Sequence, residues 1–94
     1  MKKNKITAVK NVLTAWNPIQ HSLMNITDLN EYETEVEDVL FGLGIEYDYP
    51  NKKVNSKQVN RMLKEVLNEA FNLHLTATDC EDSAIKIAEI LNEN

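Results

Sequence analysis

Residues 56–73 read SKQVNRMLKEVLNEAFNL, and the apolar positions in this stretch decide the fold class. Val59, Met62, Leu63, Val66, Leu67 and Ala70 recur at intervals of three and four. A helix turns once in about 3.6 residues, so this spacing gathers them on one buried stripe. Lys57, Arg61 and Lys64 fall on an outer stripe of the same helix. Ser56 is a candidate N-cap, and the pattern predicts a helix from about Lys57 to Leu73.

Working outward, the C-terminal quarter repeats the logic. Thr78-Asp79-Cys80-Glu81 has the form of a capping box, and Cys80, Ala84, Ile87, Ala88 and Leu91 line one face behind it. On the N-terminal side, Tyr32, Val36, Val39, Leu40 and Leu43 are helically spaced. A second helix is expected from about Glu31 to Phe41, with Asp28 or Asn30 as its cap and Gly42 and Gly44 as its end. The first helix runs from about Lys3 to Trp16 on Ile6, Val9, Leu13 and Trp16. Asn17-Pro18 stops it, because a residue before proline is pushed out of the helical region. No segment sustains a period of two. Ile45 to Val54, although it alternates briefly, is read as one irregular loop between helices two and three. The expectation is an all-α, compact four-helix bundle forming a single domain over residues 1–94, with a flexible start at residues 1–4.

Composition narrows the function classes. The chain is 43% hydrophobic and 27% charged, a globular profile, and its net charge of −5 argues against a nucleic-acid partner, whose footprint would be basic. Lys10 and Asn11 interrupt the apolar stretch after the N-terminal lysines, and no run is long enough to span a bilayer. A cytoplasmic protein without a membrane partner is therefore expected. The one cysteine agrees, since a single thiol forms no internal disulfide.

The −5 is the remainder of alternating blocks. Residues 1–10 carry four lysines and no acid, whereas residues 11–51 carry eight acids and no Lys or Arg. Glu31, Glu33 and Glu35 suit the N-terminus of a helix, where the macrodipole favours negative charge. Glu37 and Asp38 lie further along, and the i, i+4 pairs Glu31/Glu35 and Glu33/Glu37 repel by about 0.2 to 0.5 kcal/mol each. On the wheel Phe41 falls opposite the apolar stripe, between Glu37 and Asp38. Two accounts compete. In one, the acids pair with Lys57, Arg61 and Lys64 while Phe41 folds under the next loop. In the other, Glu33, Glu37, Asp38 and Phe41, followed by Glu46, Tyr47, Asp48 and Tyr49, face a basic protein.

The residues offer no catalytic pattern. His74 and Cys80 provide too few ligands at the wrong spacing for zinc, and His74 is expected in the last turn of helix three, where a cation suits the dipole. Cys80 sits beside Asp79, Glu81 and Asp82, which oppose a thiolate, so it reads as a small core residue. His21 has no partner that the sequence identifies. There is no glycine-rich phosphate loop, nucleophile elbow or calcium loop. No enzyme activity, metal or cofactor is expected.

Trp16-Asn17-Pro18-Ile19, followed by Asp28-Leu29-Asn30-Glu31-Tyr32 and Glu35, resembles the motifs of a small all-helical bacterial family of unassigned function, typified by the bacillar YugE protein. Its members carry Trp-Asp/Asn-Pro-Ile and then Asp-Glu-Tyr opening the second helix; here the second motif is stretched to Asp28-x-x-Glu31-Tyr32 or replaced by Asn30-Glu31-Tyr32. Related domains are similar to immunity proteins of bacterial toxin systems, which the resemblance makes the sharpest functional expectation: a protein that occludes a basic toxin. At residue level Trp16 reads as a core anchor and Asn17-Pro18 as the turn. The competing expectation is a structural or regulatory module that self-associates through helix four, where Ile85 and Ile90 widen the apolar surface, as a monomer or weak homodimer.

Overall fold

The computed structural model describes residues 2–18 and 32–93. Four helices follow one another: α1 (Lys2–Trp16), α2 (Glu33–Tyr47), α3 (Ser56–Phe71) and α4 (Ala77–Asn92). Among the described residues there is no strand. The all-α bundle expected from periodicity is the architecture observed.

Each helix backbone packs on two others: α3 on α4 and α2, and α1 on α4 and α2. The diagonal pairs do not approach, so the four form a closed ring around one core. That core is built from the predicted stripes, with Val9 and Leu13 from α1, Val36, Val39 and Leu43 from α2, Val59, Met62, Leu63 and Leu67 from α3, and Cys80, Ala84, Ile87, Ala88 and Leu91 from α4. Burying one such aliphatic side chain contributes about 1.5 to 3 kcal/mol.

The helix ends differ from the sequence expectation in instructive ways. Helix α3 is capped by Asn55, not Ser56: the Gln58 N–H donates to Asn55 Oδ1 at 2.8 Å, and the Asn55 N–H donates to Gln58 Oε1 at 3.0 Å. The cap of α4 stands two residues earlier than the expected Thr78. Its box is Thr76 with Asp79, whose backbone and side-chain groups bond at 3.2 and 2.9 Å. Both alternatives satisfy the same three-residue spacing, so the pattern fixes a box without fixing its register. At its far end α3 stops at Phe71, where Asn72 turns left-handed with φ 54°. His74 therefore lies in the connection, exposed, and not in a helical turn.

The largest departure is in α2. Gly42 and Gly44 do not end it; the helix continues through Ile45 to Tyr47 and closes on Asp48 at φ 62°. Neither glycine has a positive φ. A Cβ on Gly42 would stand 2.5 Å from Met62 Sδ on α3, so the position is stripped of a side chain to let two helices meet. The irregular connection is thereby shortened to residues 48–55, with a cis Tyr49–Pro50 bond and Val54 buried. At its N-terminal end α2 is preceded by Tyr32, with no side-chain cap. Asp28, Asn30 and Glu31, the expected caps and start, lie outside the described residues, as does His21.

Asparagine, which occurs twelve times, holds the connections. Asn68 bonds both backbone groups of Leu75, and Asn92 bonds both of Val54. The C-terminal carbonyls of α4, which lack intrahelical donors, are met by Lys5 Nζ on Leu91 O at 3.0 Å and on Glu93 O, and by the Tyr49 hydroxyl on Leu91 O at 3.3 Å.

Candidate protein-docking face

The two motifs behind the family resemblance are described only at Trp16–Pro18 and at Tyr32, and there Asn17 and Tyr32 meet. Asn17 turns the chain at the end of α1 with φ 51°, and its Oδ1 accepts a hydrogen bond from the Tyr32 hydroxyl at 3.0 Å. Tyr32 is fully buried and stands edge-on to Phe71, with ring centroids 6.1 Å apart. Trp16 is half-buried and packs against the core beside them in sequence, as expected of an anchor. Asn17 and Tyr32 therefore form a structural corner, which ties the end of α1 to the start of α2. Comparison with family models, curated proteins and solved structures finds no match to this chain, so the resemblance rests on these two motifs alone.

With Tyr32, Val36, Val39 and Leu43 directed inward, the opposite side of α2 is set by helical geometry. Phe41 is 72% exposed and Ile45 68% exposed, one turn apart. Phe41 does not fold under the following connection. Glu33, Thr34, Glu37 and Asp38 are exposed on the same helix. Ile45 is the residue that sequence reasoning missed. Its signal was the i, i+4 spacing to Phe41, hidden by treating Gly42 and Gly44 as a stop.

The internal-pairing account holds for only part of the acidic set. Glu46 binds Arg61 Nη1 at 3.2 Å, and the same guanidinium donates to the Tyr47 hydroxyl at 3.0 Å and to Glu65 at 3.1 Å. Arg61 thus clamps the last turn of α2 onto α3. Glu33 lies 3.7 Å from Lys10 of α1. Among the described residues Glu37 and Asp38 make no ion pair, and Lys57 and Lys64 bind no acid of α2. Asp48 caps α2 and accepts from Asn51 at 3.1 Å. Tyr47 and Tyr49, expected to face a partner, are half-buried and tied into the fold through Arg61 and Leu91 O. Burial raises the Tyr49 phenol above its ordinary pKa.

Glu35 sits between the two sides. It is half-buried, and its Oε1 is enclosed with no hydrogen-bond partner. Burial raises the carboxyl above the usual range, a hydrogen bond with its own backbone N–H partly offsets this, and Asp38 adds repulsion.

Elsewhere the described residues hold little chemistry. No group of three or more His, Cys, Asp or Glu is placed to share a metal ion. Cys80 is buried in the core; burial, helped by Asp79 and opposed by Lys64, pushes its thiol up to about 11, far from thiolate reactivity at neutral pH. Among the described residues no helix is long and apolar enough to cross a membrane. On α4 Ile85 is 42% exposed, while Ile90 packs against the core.

Proposed function

We propose that this chain is a non-enzymatic protein-binding domain that docks a basic protein on the outer face of α2. In its sharpest form it is an immunity-type inhibitor that neutralises a cognate bacterial toxin. The observation that carries the reading is Phe41 and Ile45, standing exposed beside Glu37 and Asp38, which no cation among the described residues neutralises. Exposed Phe41 and Ile45 beside unneutralised acids add little to the fold and are useful to a chain that binds. Desolvating Phe41 and Ile45 would supply affinity, while the carboxylates would speed encounter and reject acidic surfaces.

The test is co-expression with the product of the neighbouring reading frame in growing cells. The wild-type chain is expected to restore growth against a toxic neighbour, and Glu37→Lys/Asp38→Lys/Phe41→Ala to fail while melting like the wild type. A triple variant that still protects overturns the reading.

A second reading, self-association through α4, rests on Ile85. Sedimentation across a concentration series separates the two. A salt-insensitive dimer lost in Ile85→Glu favours α4, and a monomer at every concentration removes it.

A further inference from the structure

We infer that the partner meets this face with an amphipathic helix laid along α2, apolar opposite Phe41 and Ile45 and basic opposite Glu37 and Asp38. The inference rests on the docking reading above and names the element that docks.

Thr34, Asp38, Phe41 and Ile45 are all exposed and follow at spacings of four, three and four residues. That is the spacing of a seam that faces another helix, and it runs about 16 Å along α2. It lies opposite the stripe already buried in the bundle, so α2 carries two seams and the fold uses one. Of the two glycines beside it, Gly42 is packed by Met62 of α3 and Gly44 lies against the Tyr49 carbonyl, so neither competes for the ridge. Phe41 and Ile45 stand as an exposed apolar ridge against which the side chains of a neighbouring helix can pack. The backbone of α2 touches those of α1 and α3 only, so no described helix occupies this ridge.

Charge selects the occupant. The N-terminal half of the seam holds Asp38, with Glu37 beside it, and the C-terminal half is apolar. A second copy of α2 would bring like charges together, which costs association energy. A helix carrying Lys or Arg one or two turns from an apolar pair on the same face complements both halves at once.

The probes are two peptides of about 18 residues, long enough to cover the seam, with identical composition. One places two Leu and four Lys on a single helical face, and the other scrambles the same residues. Binding to the full chain is measured by fluorescence anisotropy at about 0.15 M salt, where long-range attraction is largely screened. The patterned peptide is expected to bind about tenfold more tightly than the scrambled one and to gain helical circular dichroism on binding. The preference is expected to vanish in Phe41→Ala/Ile45→Ala, whose melting temperature serves as the folding control. Glu37→Lys/Asp38→Lys is expected to weaken both peptides. Equal affinity of the two peptides for the wild-type chain overturns the helical mode and leaves an acidic docking face standing. Binding of neither overturns both.

Discussion

Helices α2 and α4 are nearly equal in length and sit diagonally across the same core, yet they are built on different terms. Helix α4 begins at a reciprocal capping box and buries six of its residues. Helix α2 has no side-chain cap, holds both glycines of the chain in its second half, and buries three residues. Local preference alone explains α4. For α2 it does not: two interior glycines cost about 1 kcal/mol each relative to alanine, and the acids at i, i+4 repel. Helix α2 exists because tertiary contacts hold it, at Tyr32 before its start and at Arg61 over its last turn. A helix assembled by its neighbours is free to carry an outer face that its own stability would not select.

The contrast can be broken most sharply at Tyr32. Tyr32→Ala removes a fully buried ring along with its bonds to Asn17 and Phe71, and is expected to cost about 4 kcal/mol in denaturant unfolding, close to the whole stability of a small domain. Next comes Gly42→Val, which drives a branched side chain into Met62 and is expected to cost about 2 kcal/mol by the same measurement. If α2 were an independent helix, replacing a glycine would stabilise it. Asn55→Ala, which removes a true cap from α3, is expected to cost about 1 kcal/mol.

A smaller effect of opposite sign is expected at Glu35. Its folded-state pKa is raised, so burial penalises the charged form at neutral pH. Glu35→Gln is expected to gain about 0.5 kcal/mol at pH 7. The advantage shrinks as pH falls through the raised value, because there the wild-type carboxyl is neutral as well. Melting curves over a pH series read this directly. The smallest effect is on the outer face: Phe41→Ala/Ile45→Ala is expected to leave stability within about 0.5 kcal/mol, although it removes the most exposed large apolar pair among the described residues.

How much of this was legible in the sequence follows from the same contrast. The inward stripes of α3 and α4 were readable because period and composition agree with what the core demands; of the predicted positions only Val66, half-buried, and Ala70, exposed near the end of α3, fall outside the buried core. Cap register was not readable, since Asn55/Gln58 competes with Ser56 and Thr76/Asp79 competes with Thr78/Glu81 at equal spacing. The end of α2 was misread because Gly42 signals a stop locally, and its reason for being glycine is a methionine twenty residues away. On the candidate face, Glu37, Asp38 and Phe41 were legible as helix positions opposite the core. The engagement of Tyr47 and Tyr49 was not, because Arg61 and the Leu91 carbonyl reach them only in three dimensions.

The left-handed corners at Asn17, Asp48 and Asn72 use no glycine, while both glycines lie inside a helix. This inverts the usual grammar of the chain, in which glycine punctuates and other residues spell. The tolerance map of a saturation-mutagenesis library should carry the inversion: glycine accepted at positions 48 and 72, where the backbone already suits it, refused at 17, where the Asn17 side chain holds Tyr32, and branched residues rejected at position 42, where space rather than dihedral freedom is the constraint.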